Sequence, residues 1–326
     1  MSTALIITVN KSLLFICISY IYNIRYIEIN ARGNVVISIN AFFHQASSTI
    51  SYVVYETASR EAMIIDSALD YTAHSGKLWT EFADKQIAFI HENNLHVTWI
   101  LETHAHADHI SAAHYLKTQL GGKLAAGAGV VHVQKTFVDF FDLSESHIPT
   151  DGRQFGHLFE DGDSFSLGNT EVTVLSTPGH TNDSVTYLID GNAFVGDTLF
   201  MPDGGTARCD FPGGSAAVLF KSIEKLHQLA DDTVLWMCHD YQPKGRALQY
   251  HCTVAQSRKN NIHIHTGTTC EAFVQLRESR DETLDIPRLL YPSVQLNISA
   301  GQLPPKAANG KRYIKQPISF TRGDVK

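Results

Sequence analysis

The run His104-Ala105-His106-Ala107-Asp108-His109 places three imidazoles and a carboxylate within six residues, immediately after the apolar, strand-like stretch Leu95 to Leu101. Such a cluster is costly to bury unless a cation holds it, and imidazole nitrogen together with carboxylate oxygen suits a divalent transition metal. The segment therefore reads as a metal-binding loop, and a fold built around it must bring further donors to the same place. Asp108 is expected to cap a following helix with apolar positions Ile110, Ala113 and Leu116, stopped by Gly121-Gly122.

Three other strand-like runs also end close to a potential ligand. Glu171 to Leu175 precedes His180, Ala193 to Val195 precedes Asp197, and Thr233 to Met237 precedes His239. In layered α/β folds, loops at the carboxyl ends of strands carry chemistry on a rigid frame. In Thr177-Pro178-Gly179-His180-Thr181, Pro and Gly shape a tight turn that projects the imidazole. Elsewhere, Ile50 to Tyr55 and Ala62 to Ile65 read as a β-hairpin and Val185 to Ile189 as a strand. Leu78, Phe82, Phe89 and Ile90 recur at roughly helical spacing, and Ala216 to Leu229 and Cys270 to Arg280 read as helices.

Composition narrows the alternatives. The 326 residues are 44% hydrophobic and 18% charged with a net charge of −7, which supplies a core and argues against a nucleic-acid footprint. The five cysteines, Cys17, Cys209, Cys238, Cys252 and Cys270, are odd in number and contain no CxxC pair. A disulfide framework is not expected, and a reducing cytoplasm is the expected setting. Gly127-Ala128-Gly129 is read as a turn rather than a nucleotide loop. His263 and His265 have no partner carboxylate nearby and are read as solvent-facing or structural.

Residues 1–35 differ in character, with an apolar stretch from Ser12 to Ile24 too short for an ordinary membrane span and lacking an A-x-A cleavage site. They are expected to be an over-extended start, and no membrane partner is expected. Residues 36–265 are expected to form one catalytic domain. Residues 266–326 are expected to be an extension packed on it, covering the cleft or building a homo-oligomer contact.

The motifs HxHxDH at His104 to His109, TPGHT at His180, GDTLF at Asp197 and CHDY at His239 resemble, in order and spacing, the metallo-β-lactamase superfamily. The resemblance implies an α/β fold of αββα type, with two mixed β-sheets face to face between helical layers. The segment from Gly196 to Gly214, with Cys238-His239-Asp240-Tyr241 and Glu271-Ala272-Phe273-Val274, is similar to the persulfide dioxygenase branch, including the bacterial β-lactamase-like hydrolase group. That branch implies oxidation of glutathione persulfide, or another low-molecular-weight persulfide, by O2 to sulfite and glutathione.

Carried over by position, the resemblance implies one Fe(II) per chain on His104, His180 and Asp197. His106, Asp108, His109 and His239 would stand in a second shell or at a second metal. A 2-His-1-carboxylate set leaves open positions on Fe(II) for dioxygen and a sulfur atom. Tyr241 is expected to act as a hydrogen-bond donor in the pocket. Arg208 is expected either to orient substrate or to pair with Asp210, and Lys244, Arg246 and Arg258 are candidate receivers of substrate carboxylates.

The ligand inventory fits a second reading equally well. All seven donors of a binuclear Zn(II) hydrolytic centre are present, with Asp197 able to bridge two ions and activate water. A thioester hydrolase resembling glyoxalase II is that alternative, with one or two zinc ions as its cofactor. A non-catalytic or nucleic-acid-processing protein of the same fold is more distant, because Lys/Arg clusters are absent.

Overall fold

In a computed structural model, the backbone is described for residues 5–10, 13–20, 23–29, 35–143 and 148–318, and side chains from residue 37 onward. The reading of residues 1–35 as an over-extended start, and the side chain of Cys17, fall outside the described side chains. Leu5–Asn10, Leu13–Tyr20 and Asn23–Ile29 run as antiparallel strands outside Val35–His44.

Two large mixed sheets carry the fold. The first continues inward from Val35–His44 through Thr49–Glu56, Glu61–Ile65, His96–Leu101, Lys123–Gly127 and His157–Phe159. Its hairpin pairs Tyr52 with Ile65 as expected, and the next three pairings are parallel. The second sheet runs Ser164–Leu167, Thr170–Ser176, Val185–Ile189, Asn192–Phe194, Val234–Trp236 and His251–Thr253.

Period-two alternation decides how these sheets stack. Along Thr49–Glu56, Ile50, Tyr52 and Val54 face one core while Val53 and Tyr55 face another. The first set meets Val172, Val174, Val185, Tyr187 and Phe194 of the second sheet, forming the central layer between the sheets. On the outer side of the first sheet, Val53, Ile64 and Ile100 pack under α1 (Glu81–Glu92) and α2 (Ala113–Leu120), through Phe82, Phe89 and Leu116. On the far side of the second sheet, Ala193 and Leu235 pack with Leu219, Ile223 and Leu226 of α4 (Ala216–His227). The result is the αββα sandwich.

Of the remaining helices, α3 spans Val130–Phe140 after the Gly127–Gly129 turn, and α5 spans Val254–Asn260. The C-terminal segment is built into the body. Within it, α6 (Cys270–Asp281) buries Phe273 against α4, and α7 (Leu290–Asn297) lodges Val294 and Leu296 beside α3 and the first sheet. No helix among the described residues is long and apolar enough to cross a membrane.

Two local expectations are corrected. Leu78 lies in the short strand Lys77–Trp79, and α1 begins only at Glu81, where Asp70 Oδ2 accepts from the Phe82 amide at 2.8 Å. Asp108 caps nothing. Ile110–Ser111 is a two-residue strand paired with Ala68–Leu69, and α2 starts after Ala112 with no side-chain cap.

Candidate metal centre

Four strand ends deliver the donors. His96–Leu101 leads to His104, Thr170–Ser176 to His180, Asn192–Phe194 to Asp197 and Val234–Trp236 to His239. Two glycines make this convergence possible. Gly179 has φ +136°, and a Cβ there would collide with the Leu219 backbone of α4, so the His180 turn sits directly on that helix. Gly196, at φ +54°, lies so close to Thr103 that any side chain would displace the residue preceding His104. Thr103 is in turn fixed by Asp66, whose carboxylate accepts from its amide at 2.7 Å and its hydroxyl at 2.8 Å.

His104, His180 and Asp197 form one buried group able to hold an ion. Asp197 Oδ2 lies 3.9 Å from His104 Nε2 and 3.7 Å from His180 Nε2. His180 Nδ1 donates to the Arg208 carbonyl at 2.7 Å, which fixes the tautomer and leaves Nε2 with its lone pair facing Asp197. A second group, His106, Asp108, His109 and His239, lies alongside. His239 Nε2 stands 3.0 Å from Asp108 Oδ2 and 3.5 Å from Asp197 Oδ1, and its Nδ1 donates to the Ser48 carbonyl.

The buried atoms His104 Nε2, Asp197 Oδ1, Asp108 Oδ2, His109 Nε2 and His239 Nε2 have no hydrogen-bond partner within the protein. Buried polar atoms are rarely left unsatisfied. These five belong to the two neighbouring donor groups, and metal coordination would satisfy them. Burial, reinforced by the neighbouring imidazoles, lowers the His104 pKa well below the ordinary histidine value and brings that of His109 to about 4, so both present neutral nitrogen.

His106 is different. Its Nε2 lies 3.0 Å from Asp66 Oδ1 and 3.2 Å from Glu102 Oε2, both buried. Against the burial that disfavours its charge, these carboxylates raise its pKa well above the ordinary value. Asp66 and Glu102 were not singled out from the sequence, although Asp66 directly follows the strand Glu61–Ile65 and obeys the same strand-end rule as the other donors.

Beside the centre opens a cavity of about 490 Å³ lined by Asp108, His180, Asp197, Phe200, Arg208 and Tyr241, among others. Tyr241 lines this cavity, its ring stacked beside His239 and edge-on to Phe200. Arg208 makes the expected pairing with Asp210, its guanidinium binding both carboxylate oxygens at 2.6 and 2.5 Å and lying over the Phe211 ring at the cavity wall.

The other expected cations point elsewhere. Arg246 is committed to Asp203 and buried Asp240, Arg258 to Asp231 and the His227 carbonyl, and exposed Lys244 does not line the cavity. The cavity's remaining cations are Arg277, Arg280 and Arg288, which sequence reasoning missed. Arg277 carried a local signal in its i,i+4 spacing from Asp281, whereas Arg280 and Arg288 carried none.

His263 is buried and structural, accepting from the Thr206 amide, and His265 is exposed. Cys209, Cys238 and Cys252 are buried free thiols whose pKa values burial pushes up, for Cys209 and Cys252 to about 12, so none serves as a thiolate.

An αββα sandwich with a buried His/Asp metal-binding cluster at its strand ends defines a class of metal-dependent proteins. The superfamily profile described as metallo-β-lactamase matches residues 47–239, and the chain belongs to that superfamily. It is 48% identical over 291 residues to a protein named probable metallo-hydrolase from Burkholderia pseudomallei, covering 86% of this chain and 99% of the other. It is 46% identical to a Dictyostelium discoideum protein named Glyoxylase B2, covering 87% and 98%. To human persulfide dioxygenase ETHE1 it is 28% identical, covering 83% and 91%. The crystal structure of ETHE1 from Myxococcus xanthus superposes with a TM-score of 0.64 at 28% identity, covering 81% of this chain and 99% of that one.

Proposed function

We propose that this chain is a mononuclear non-haem iron persulfide dioxygenase acting on glutathione persulfide or a related low-molecular-weight persulfide. The observation that carries the reading is the division of labour among the donors. His104, His180 and Asp197 form a compact 2-His-1-carboxylate set, while His106 Nε2 is occupied by two buried carboxylates. Likeness to persulfide dioxygenases along more than four-fifths of the chain supports it.

Bound Fe(II) would supply adjacent open positions for dioxygen and a sulfane sulfur, together with the electron transfer that zinc lacks. The reaction balances as persulfide plus O2 plus water giving thiol plus sulfurous acid: the sulfane sulfur loses four electrons and dioxygen gains them. His104, His180 and Asp197 would hold the ion. His180 is oriented by the Arg208 carbonyl and His239 by the Ser48 carbonyl. Tyr241 and Phe200 wall the reactants, and the Tyr241 hydroxyl donates a hydrogen bond to the substrate.

A second reading has its own support. Asp108, His109 and His239 complete a donor set for a second ion, and one relative is named a glyoxylase. That reading is a binuclear zinc thioester hydrolase. Anaerobic purification with metal analysis separates them. We expect about one iron per chain, O2 uptake on glutathione persulfide, loss of iron in His180→Ala and substantial retention in His239→Ala. Two zinc ions per chain, lost equally in both variants, with thioester cleavage and no O2 uptake, would overturn the dioxygenase reading.

A further inference from the structure

We propose that Arg280 and Arg288 form a cationic rim on the cavity that receives carboxylate groups of the substrate, so that these two side chains set the affinity for an anionic ligand. The inference rests on the reading of this cavity as the substrate site.

Four guanidinium groups line the cavity, and two of them are neutralised. Arg208 is held by Asp210. Arg277 is buried, with Nη2 on Asp281 at 2.5 Å and Nη1 on the Thr206 carbonyl at 3.0 Å. Arg280, in the last turn of α6, and Arg288, just before α7, are exposed and have no ion-pair partner among the described residues. The cavity's carboxylates, Asp108 and Asp197, belong to the metal cluster. The positive charge left uncompensated is therefore carried by these two arginines.

Apolar side chains share the wall, chiefly Phe200, Phe211, Leu284 and Leu289. The lining therefore offers a metal cluster, an apolar surface and cationic forks. A molecule with a soft sulfur at one end and carboxylates elsewhere complements all three. The guanidinium fork matches a carboxylate in two parallel hydrogen bonds. A cavity of about 490 Å³ lies within the range that small-molecule sites occupy. The sequence-level candidates cannot take this role while Arg246 and Arg258 are spent on Asp203, Asp240 and Asp231.

The test uses the full-length, metal-loaded protein and glutathione itself as the probe, with binding measured by titration calorimetry. The double variant Arg280→Gln, Arg288→Gln should bind glutathione roughly tenfold or more weakly, the scale of losing hydrogen bonds to a charged group. Metal content and melting temperature should stay at the wild-type values. Glutathione dimethyl ester should bind the wild type as weakly as glutathione binds the variant, and the variant should not discriminate between the two. In turnover the defect should fall on KM, with Arg280→Lys and Arg288→Lys recovering part of it.

Equal glutathione affinity in wild type and double variant would overturn the proposal. Because glutathione binding needs no dioxygen, the two readings fail separately. Thioester cleavage in place of O2 uptake removes the dioxygenase assignment and leaves the rim standing. O2 uptake with unchanged glutathione affinity removes the rim alone.

Discussion

His263 shows how one buried side chain sets a pH dependence. Its Nδ1 accepts from the Thr206 amide at 2.9 Å and lies 3.3 Å from Arg277 Nη1, so a proton on that nitrogen would face two donors. Burial, and then the Arg277 charge, bring its pKa down to about 4, whereas the unfolded chain takes the ordinary value near 6.5. Between those values the unfolded state binds the extra proton. This contribution to stability is therefore complete above pH about 6.5 and is lost as pH falls toward 4, amounting to on the order of 3 kcal/mol at full titration. In metal-free protein, His263→Gln retains an acceptor without titrating, so the slope of unfolding free energy between pH 6.5 and 4.5 should flatten. Denaturant titrations giving an unchanged slope would reject the assignment.

At the level of elements, the ligand loop depends on a partner far along the chain. Asn297 of α7 donates from Nδ2 to the carbonyls of His106 and His109, each at 2.8 Å, and accepts from the Ser111 amide at 2.8 Å. These bonds fix the backbone on which three of the site imidazoles ride. Asn297→Ala should weaken metal binding by roughly ten- to a hundredfold, as loss of an outer partner commonly does. Asn297→Asp, which keeps only the acceptor, should fall as far or further. Competitive chelator titration measures both, and wild-type affinity in Asn297→Ala would refute the role. What was legible in the sequence follows the same division between local and distant. His104, His180, Asp197 and His239 could be found because each closes its own strand. The end of α2 could be found because Gly121 supplies the positive φ its stop requires. Asp108 looked like a cap because its local pattern fits one, yet His239, brought by another sheet, determines its direction. Leu78 looked helical because only Thr80 separates its strand from α1. Asn297 gave no local sign because its partners His106 and His109 lie 191 and 188 residues away, and Arg280 and Arg288 gave none because the cavity they line is assembled from distant loops.

For the whole molecule, the consequence is that residues after 265 are part of the fold that makes the site. Phe273 fills the layer between α4 and the second sheet, and Val294, Leu296 and Ile298 sit fully inside the packing around α3 and the ligand loop. Each such side chain contributes roughly 1.5–3 kcal/mol when buried, so together they are comparable with the roughly 5–15 kcal/mol that holds a whole domain folded. Removing everything after residue 265 should therefore yield an insoluble or molten product and not a weakened enzyme. Conversely, the intact protein should unfold in one calorimetric transition, with metal release and loss of α6 and α7 occurring together. A truncated chain that stays soluble, melts cooperatively and binds metal with wild-type affinity would mean that the extension merely rests on a self-sufficient sandwich. The bonds from Asn297 to the ligand loop and the seating of Phe273 against α4 argue that it does not.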